Sequence, residues 1–418
     1  MTTLGTGLEV VERPTSVAEA AELLKSTSGP VAFRGAGTKW AWGGRPQSGV
    51  VIDTTALAGL LAHNPADMTV AVEAGMPLRT LQELLAKEGQ WLAIDPPSEA
   101  DGATVAGLLS TGDSGPRRLR YGGMRDLVIG VTMVLADGTV ARAGGKVIKN
   151  VAGFDLSKML YGSLGTLGLI AEVVLRLHPL PGTSATAALQ CSAQQASDLS
   201  VALMSSALEP AAIDWVLTGD AQDPTAQGGS TANGSSGDRH GQGRLVVRFE
   251  GTAAGVAAQR AAVQSMLDTV GDSQWFTDGD ESGLWNELAG YQRPAGDSLL
   301  ASAATLPTNT ADVAAALDRA AQAAGVSGQL TSRPALGLHT ARLTGPGSAV
   351  ATAFEAWRSS VLDAGTGASV LLRDRPDGVD DLIDPMGPPP SSVQLMRALK
   401  QRLDPDGRCA PGRLGSWY

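Results

Sequence analysis

Through its first 180 residues the chain alternates short β-rich apolar runs with stretches of helical period. "VVERPTSVAEAAELLKSTSG" predicts an extended start and then a helix opened by Thr15 or Ser16. Val17, Ala20, Ala21 and Leu24 recur at helical spacing, and Glu19 and Glu22 stand in the early turns. "VAF" at 31–33 and "VVIDTTAL", ending at Asp53, are strand runs. "VAVEAGMPLRTLQELLAKEGQ" predicts strand, turn and helix, with Pro77 at the helix start and Gly89 closing it. "LVIGVTMVLADGTVARAG" reads as a hairpin turned by Asp137-Gly138, and "LGLIAEVVLRLHPLP" as an apolar strand stopped by prolines.

From roughly 185 to 395 the pattern changes. Strand-like "RLVVRFEG" and "ALGLHTARLTG" alternate with Ala-rich helical runs such as "TADVAAALDRAAQAAG". This predicts an antiparallel sheet with helices on one face. Residues 219–243 are Gly/Ser/polar low complexity and are expected to form a flexible surface insertion between two strands. The tail "LMRALKQRLDPDGRCAPGRLGSWY" reads as a helix followed by a Pro/Gly-rich extended end.

Composition narrows the function classes. A chain of 418 residues can build two or three domains, and a net charge of −10 argues against general nucleic-acid binding. Cys191 and Cys409 are too few for a disulfide framework. His63, His178, His240 and His339 lie far apart, so no metal site is expected. The N-terminus lacks a signal-peptide pattern and no apolar run reaches membrane-spanning length, which makes the cytoplasm the expected location.

Three glycine-rich stretches carry the candidate chemistry. "FRGAGTKWAWGG" (33–44) fails the dinucleotide fingerprint, since Trp40 stands at the third glycine position, and it has no G-K-[ST] of a P-loop. Taken alone it is either a turn or a nest of backbone N–H groups around one anion, helped by Arg34, Thr38 and Lys39. "DPPSEADGATVAGLLSTGDSGPRRLRYGGMRD" (95–126) is dominated by small residues and ends in a basic cluster. Singly, Arg117, Arg118, Arg120 and Arg125 read as a solvated surface patch. "GGKVIKNVAGFDLSKMLYGSLGTLGLIAEVVLRLHP" (144–179) places Gly162, Gly165 and Gly168 before an apolar strand, as a helix cap and turn would.

In this order the motifs resemble the FAD-binding domain of the vanillyl-alcohol-oxidase type, also called the PCMH-type domain. The third stretch is most similar to the E subunit family of glycolate oxidase, and "LKQRLDPDGRCAPGRL" resembles that family's closing segment. The resemblance covers about 5–182 and 393–414. It implies an α+β fold with a PCMH-type FAD-binding domain of two α/β subdomains (about 1–60 and 65–182, within 1–182). A ferredoxin-like α+β cap would span 183–392, and a C-terminal segment, 393–418, would return to the FAD domain.

The same resemblance implies non-covalent FAD. Arg34, Gly35, Ala36, Gly37, Thr38 and Lys39 would hold the pyrophosphate by backbone donors and basic side chains. Pro97, Thr104, Gly107, Ser110, Thr111, Gly112 and Gly115 would lie along the flavin. Tyr121 and Lys149 are further candidates, with Asp126 bracing its loop. Gly165, Gly168 and Ile170 would close over the adenine end. Thr38 stands where relatives that attach the flavin often have histidine, and neither cysteine falls in the first domain.

Oxidation of a 2-hydroxy acid needs a carboxylate anchor and a base for the hydroxyl proton. His339 is a candidate base or a structural histidine, and Arg342 is expected to share its face of the strand. Arg373 and Arg375 are alternative anchors. The histidine cluster of catalytic D-type relatives is missing, and Ala303 stands where E-type relatives tend to have arginine. Three readings stay open. One is an FAD-binding subunit of a glycolate oxidase complex, converting glycolate to glyoxylate with a D-type flavoprotein and an iron–sulfur subunit. That complex could be cytoplasmic or peripheral to the inner face of the membrane. The others are a stand-alone D-lactate-type 2-hydroxy-acid dehydrogenase and a structural subunit that has lost its cofactor.

Overall fold

In the computed structural model, residues 10–145, 156–217, 241–365 and 367–418 are described. The stretch 146–155, with Lys149 and most of the "GGKVIKNVAGFD" motif, lies outside the described residues, as does 218–240, which takes in most of the expected insertion 219–243; Gln242 and Gly243, at its end, already belong to a strand. The chain divides into two compact units. One comprises Met1–Gly115, Tyr121–Leu180 and Asp384–Tyr418; the other comprises Pro116–Arg120 and Pro181–Ile383.

The first unit opens with β1 (Val10–Glu12), α1 (Val17–Ser26), β2 (Val31–Arg34) and β3 (Val50–Asp53). The strands form a parallel sheet in the order β1-β3-β2. Of the two residues expected to open α1, Ser16 is the cap: its hydroxyl accepts from the Glu19 N–H at 3.1 Å. Ala20 and Leu24, on the predicted stripe, are fully buried.

Next come β4 (Leu60–Asn64), β5 (Thr69–Glu73), α2 (Leu78–Ala86), β6 (Gln90–Trp91), α3 (Val105–Thr111) and α5 (Met124–Leu127), while α4 (Arg118–Tyr121), between α3 and α5 in the chain, belongs to the second unit except for Tyr121. They are followed by β7 (Val128–Val134), β8 (Val140–Gly144), β9 (Leu169–Arg176) and β10 (His178–Pro179). Five of these strands build an antiparallel sheet, β4-β5-β9-β7-β8. The β7–β8 hairpin turns at Asp137-Gly138 as the sequence predicts, with Gly138 at φ +84°. Helix α2 starts after Pro77 but ends at Ala86 with Lys87 as its cap, two residues before Gly89.

The second unit holds β11 (Thr183–Ser192), α6 (Ala193–Met204), β12 (Ala212–Leu217), β13 (Gln242–Gly251), α7 (Ala253–Asp268) and β14 (Gln274–Phe276). After α8 (Asp278–Gly290) follow β15 (Ser298–Ala304), α9 (Thr310–Ala324), β16 (Ser327–Arg333), β17 (Leu338–Thr344), α10 (Gly347–Asp363) and β18 (Ser369–Asp374). The sheet order is β14-β11-β13-β12-β16-β17-β15-β18. Each half is a β-α-β-β-α-β module in the ferredoxin-like order, and the two join edge to edge through β12 and β16. Alternate residues of every strand, such as Trp215, Val247, Ala301 and Leu343, share one apolar core with α6, α7, α9 and α10.

Helices were expected on one face only. Helix α8 instead packs on the opposite face, where Leu284 and Leu288 meet Ala188, Val216 and Val246. That face is otherwise ionic. The buried Glu250 carboxylate accepts from Arg117 Nη2 at 2.7 Å and faces Arg248 Nε at 3.0 Å. Arg248 also lies 3.1 Å from Glu281 of α8, and Arg120 donates to the Glu250 carbonyl at 2.9 Å. Arg117 and Arg120 are therefore not a solvated patch. A buried carboxylate recruits them because its charge must be compensated.

The last element, α11 (Val393–Leu403), and the residues after it belong to the first unit. Val31 N–H donates to the Arg408 carbonyl at 2.8 Å, and Ala410 N–H to the Val31 carbonyl at 2.7 Å. The Arg408 guanidinium donates to the carbonyls of Leu24, Thr27, Gly29 and Ala136. Replacing it by methionine, Arg408→Met, orphans these acceptors together. A loss of roughly 2–4 kcal/mol is expected in urea unfolding, as a lower midpoint at unchanged slope.

Candidate functional site

Strand β2 ends at Arg34 and hands the chain to the loop 35–44. Gly35 crosses the start of α3 with no room for a side chain: a Cβ there would sit 2.3 Å from Thr104 Oγ1. Gly37 is left-handed, at φ +77°. Trp40 N–H donates to the Gly37 carbonyl and Trp42 N–H to that of Lys39. The N–H groups of Ala36, Gly37 and Thr38 have no protein acceptor among the described residues. These residues line an open cleft together with Phe33, Arg34, Gly35, Lys39, Trp40, Thr104, Gly107, Ser110, Thr111, Leu164 and Arg413. Consecutive amides around a left-handed glycine make a concave donor surface suited to an anion.

The loop is held by groups far away in sequence. Arg413 Nη1 donates to the carbonyls of Trp40, Trp42 and Gly44, at 2.5, 2.9 and 3.3 Å. Its guanidinium lies 5.0 Å from the Trp40 ring, and that of Arg34 lies 5.7 Å from it. Arg34 faces Asp53 at 3.7 Å. Burial alone would raise the Asp53 carboxyl, but Thr55 hydrogen bonds and the charges of Arg13 and Arg34 hold it below its ordinary value.

Lys39 departs from the expectation of a charge offered to an anion. Its ammonium lies 3.6 Å from Asp113 Oδ2, with the two side chains 5% and 3% exposed. Asp113 Oδ2 accepts from Ser98 Oγ at 2.6 Å, and Lys39 donates to Thr38 Oγ1 at 3.1 Å.

The third glycine-rich stretch docks on the end of α3. Gly162 N–H donates to the Leu109 carbonyl and Leu164 N–H to that of Ser110, at 3.2 and 2.8 Å. Leu164, which lines the cleft, is left-handed at φ +51° without being glycine, a strained conformation that these contacts impose. Gly165 turns beneath Phe33, 3.4 Å from the ring for an added Cβ.

Other candidate positions lie outside the cleft lining. Gly112 caps α3 against the Tyr161 ring, and an added Cβ at Gly115 would meet the Asp95 carbonyl at 1.9 Å. Pro97 is buried in a short turn of helix, Gly168 abuts the Val134 carbonyl, and Ile170 is buried on β9. The Tyr121 ring packs edge-on against Trp91 and His178, and Asp126 accepts from the Gly123 N–H at 2.9 Å. Cys409, outside the first domain by sequence position, is buried in the first unit's core, and burial pushes its thiol up to about 12.

The second unit separates His339 from Arg342. They were expected to share a face, but three residues apart on β17 they point to opposite sides of the sheet. His339 Nδ1 pairs with Ser332 Oγ at 2.9 Å and Nε2 with Thr305 Oγ1 at 3.0 Å. Burial lowers it to about 4. Arg342 donates to the carbonyls of Gly290 and Arg293 at the end of α8, and burial lowers it too. Arg373 lies where the register of β18 on β15 shifts, and Arg375 is paired with Asp380.

Residues 8–144 match the family model described as FAD binding domain. The chain is 35% identical over 167 residues to glycolate oxidase subunit GlcE of Escherichia coli, covering 40% of this chain and 47% of that protein. It is 38% identical to D-lactate dehydrogenase of Archaeoglobus fulgidus, covering 41% and 39%, and 37% identical to glycolate oxidase subunit GlcD of Bacillus subtilis, covering 38% and 33%. The matched region spans less than half the length of each of these relatives. Solved p-cresol methylhydroxylase superimposes with a TM-score of 0.72 at 16% identity, covering 97% of this chain and 88% of that one. Alkyldihydroxyacetonephosphate synthase gives 0.68 at 18%, covering 96% and 75%.

The chain thus carries an FAD-binding domain in an α+β fold of the PCMH type, and FAD is its cofactor. The cleft fits that group: three adjacent amides lack protein acceptors, as a bound diphosphate requires. Phe33, Trp40, Leu164 and Arg413 also line it and were not among the expected residues. Trp40 and Leu164 lay inside the quoted glycine-rich motifs; Arg413 lay in the tail motif, whose return to this loop spacing alone does not show.

Gly37→Asp puts a carboxylate among the anion-binding amides at a conformation aspartate tolerates. Loss of bound flavin with an unchanged near-UV circular dichroism spectrum is expected; full flavin occupancy would show that the loop is only a turn. For His339, the folded value of about 4 lies below the unfolded value. Stability should therefore be whole above about pH 6.5 and fall as pH drops toward 4, by on the order of 3 kcal/mol. Urea titrations of wild type and His339→Gln across that range should show this slope disappear in the variant.

Proposed function

We propose that this protein is the FAD-binding subunit of a glycolate oxidase complex, supporting oxidation of glycolate to glyoxylate beside a D-type flavoprotein and an iron–sulfur subunit. The observation that carries the reading is the cleft of acceptor-free amides at Ala36–Thr38, joined to the likeness to glycolate oxidase subunits and D-lactate dehydrogenases. FAD bound there would accept a hydride equivalent from the hydroxyl-bearing carbon of a 2-hydroxy acid.

The chain's own residues divide the remaining work unevenly. Ala36, Gly37 and Thr38 would bind the pyrophosphate, and Arg413 keeps their loop in place. His339 is a poor base for the hydroxyl proton, since both ring nitrogens are engaged and the ring is buried. Arg342 and Arg373 are the proposed carboxylate anchors, the first already committed to two carbonyls. This favours substrate oxidation mainly on the D-type partner.

Stopped-flow mixing of the FAD-loaded protein alone with glycolate and with D-lactate tests this. Slow or no bleaching of flavin absorbance is expected, with turnover appearing when partner subunits are added. Rapid bleaching by D-lactate alone would favour the stand-alone dehydrogenase. A wild-type protein that takes up no flavin would leave only the structural-subunit reading.

A further inference from the structure

The buried Lys39–Asp113 pair, of which Lys39 lines the cleft, is not explained by charge offered to the cofactor. Its ammonium is 5% exposed and already faces a carboxylate at 3.6 Å, so the pair is close to neutral from outside. Burying such a pair carries a desolvation penalty that its attraction barely offsets, which makes it a weak source of stability. Its position is more informative. Asp113 follows α3 and is fixed by Ser98, so Lys39 ties the loop 35–44 to the second glycine-rich stretch.

We propose that Lys39 is a positioning residue for FAD, acting through Thr38. A threonine hydroxyl has one proton to give. Lys39 Nζ donates to Thr38 Oγ1 at 3.1 Å, so that oxygen is the acceptor in this contact and its own proton must go elsewhere. No acceptor for that proton occurs among the described residues, and Thr38 lines the cleft beside the free amides. The ammonium thus sets the Thr38 hydroxyl as a donor to the cofactor's pyrophosphate, adding to the N–H groups of Ala36, Gly37 and Thr38. Anchored on Asp113, it also holds those amides in their left-handed turn before any ligand arrives.

The inference rests on FAD being the cofactor and not on the substrate reading, because its test contains no substrate. FAD affinity of the apoprotein is measured by quenching of flavin fluorescence for wild type, Lys39→Met, Thr38→Val and the double variant. Each single change should weaken FAD by roughly 10- to 100-fold. The double variant should be little worse than the weaker single, since the two side chains act as one unit.

Fully additive losses would overturn the coupling. Because Lys39→Met leaves Asp113 buried and unpaired, Lys39→Met with Asp113→Asn provides a neutral background that folds without that strain. It should remain as weak for FAD as Lys39→Met alone. Wild-type affinity in that background, or a lowered melting temperature with unchanged FAD affinity, would reduce Lys39 to a structural residue.

Discussion

The cleft depends on the need of backbone carbonyls in irregular segments for donors. The loop 35–44 is too glycine-rich to hold a shape by side-chain packing, and carbonyls at Trp40, Trp42 and Gly44 need donors from outside it. Arg413 supplies three of them from the far end of the chain, and Arg408 supplies four more around α1 and the β7–β8 turn. A guanidinium suits this work because its donors are planar, fixed and always charged. With the carbonyls occupied, the amides of the same loop stay open for an anion.

The same economy of charge organises the second unit. Its sheet has an apolar face covered by four helices and an ionic face that buries Glu250, Glu281 and Asp214. Buried carboxylates require cations nearby. Around Glu250, Arg117 and Arg120 come from the short segment 116–120, and Arg248 from the same strand, β13. The basic run that looks like a surface patch in the sequence is thus a structural clamp. In the first unit the buried Lys39–Asp113 pair plays a comparable part at smaller scale.

Much of the fold was legible because its signals are local. The helical stripe of Val17–Leu24, the Asp137-Gly138 turn and the apolar run of β9 each state their conformation within a few residues. The glycine positions were legible for the same reason: Gly37 and Gly165 adopt φ values that other residues avoid. What escaped was side-chain pairing across long separations. Nothing in the spacing links Lys39 to Asp113, or Arg413 to Trp40. The expectation of helices on one face failed at α8, whose weakly patterned sequence does not say which face of a sheet it will cover. His339 and Arg342 could have been separated by counting pleats, since an odd offset on a strand always divides two residues between its faces.

The sequence by itself determined several of the turns, strands and helices, most of them in the first 180 residues, and the order of three small-residue stretches along the chain. It also determined the likeness to FAD-binding proteins, because close approach of a backbone to a flat ligand restricts residue types one by one. Only the tertiary structure decided which charges face the ligand and which face each other. A lysine, an arginine and a histidine look alike in a sequence whether free, paired or buried. Their chemistry is set by desolvation and by partners brought in from elsewhere in the chain, from Ser332 beside His339 to Trp40 beside Arg413, and that information exists only once the chain is folded.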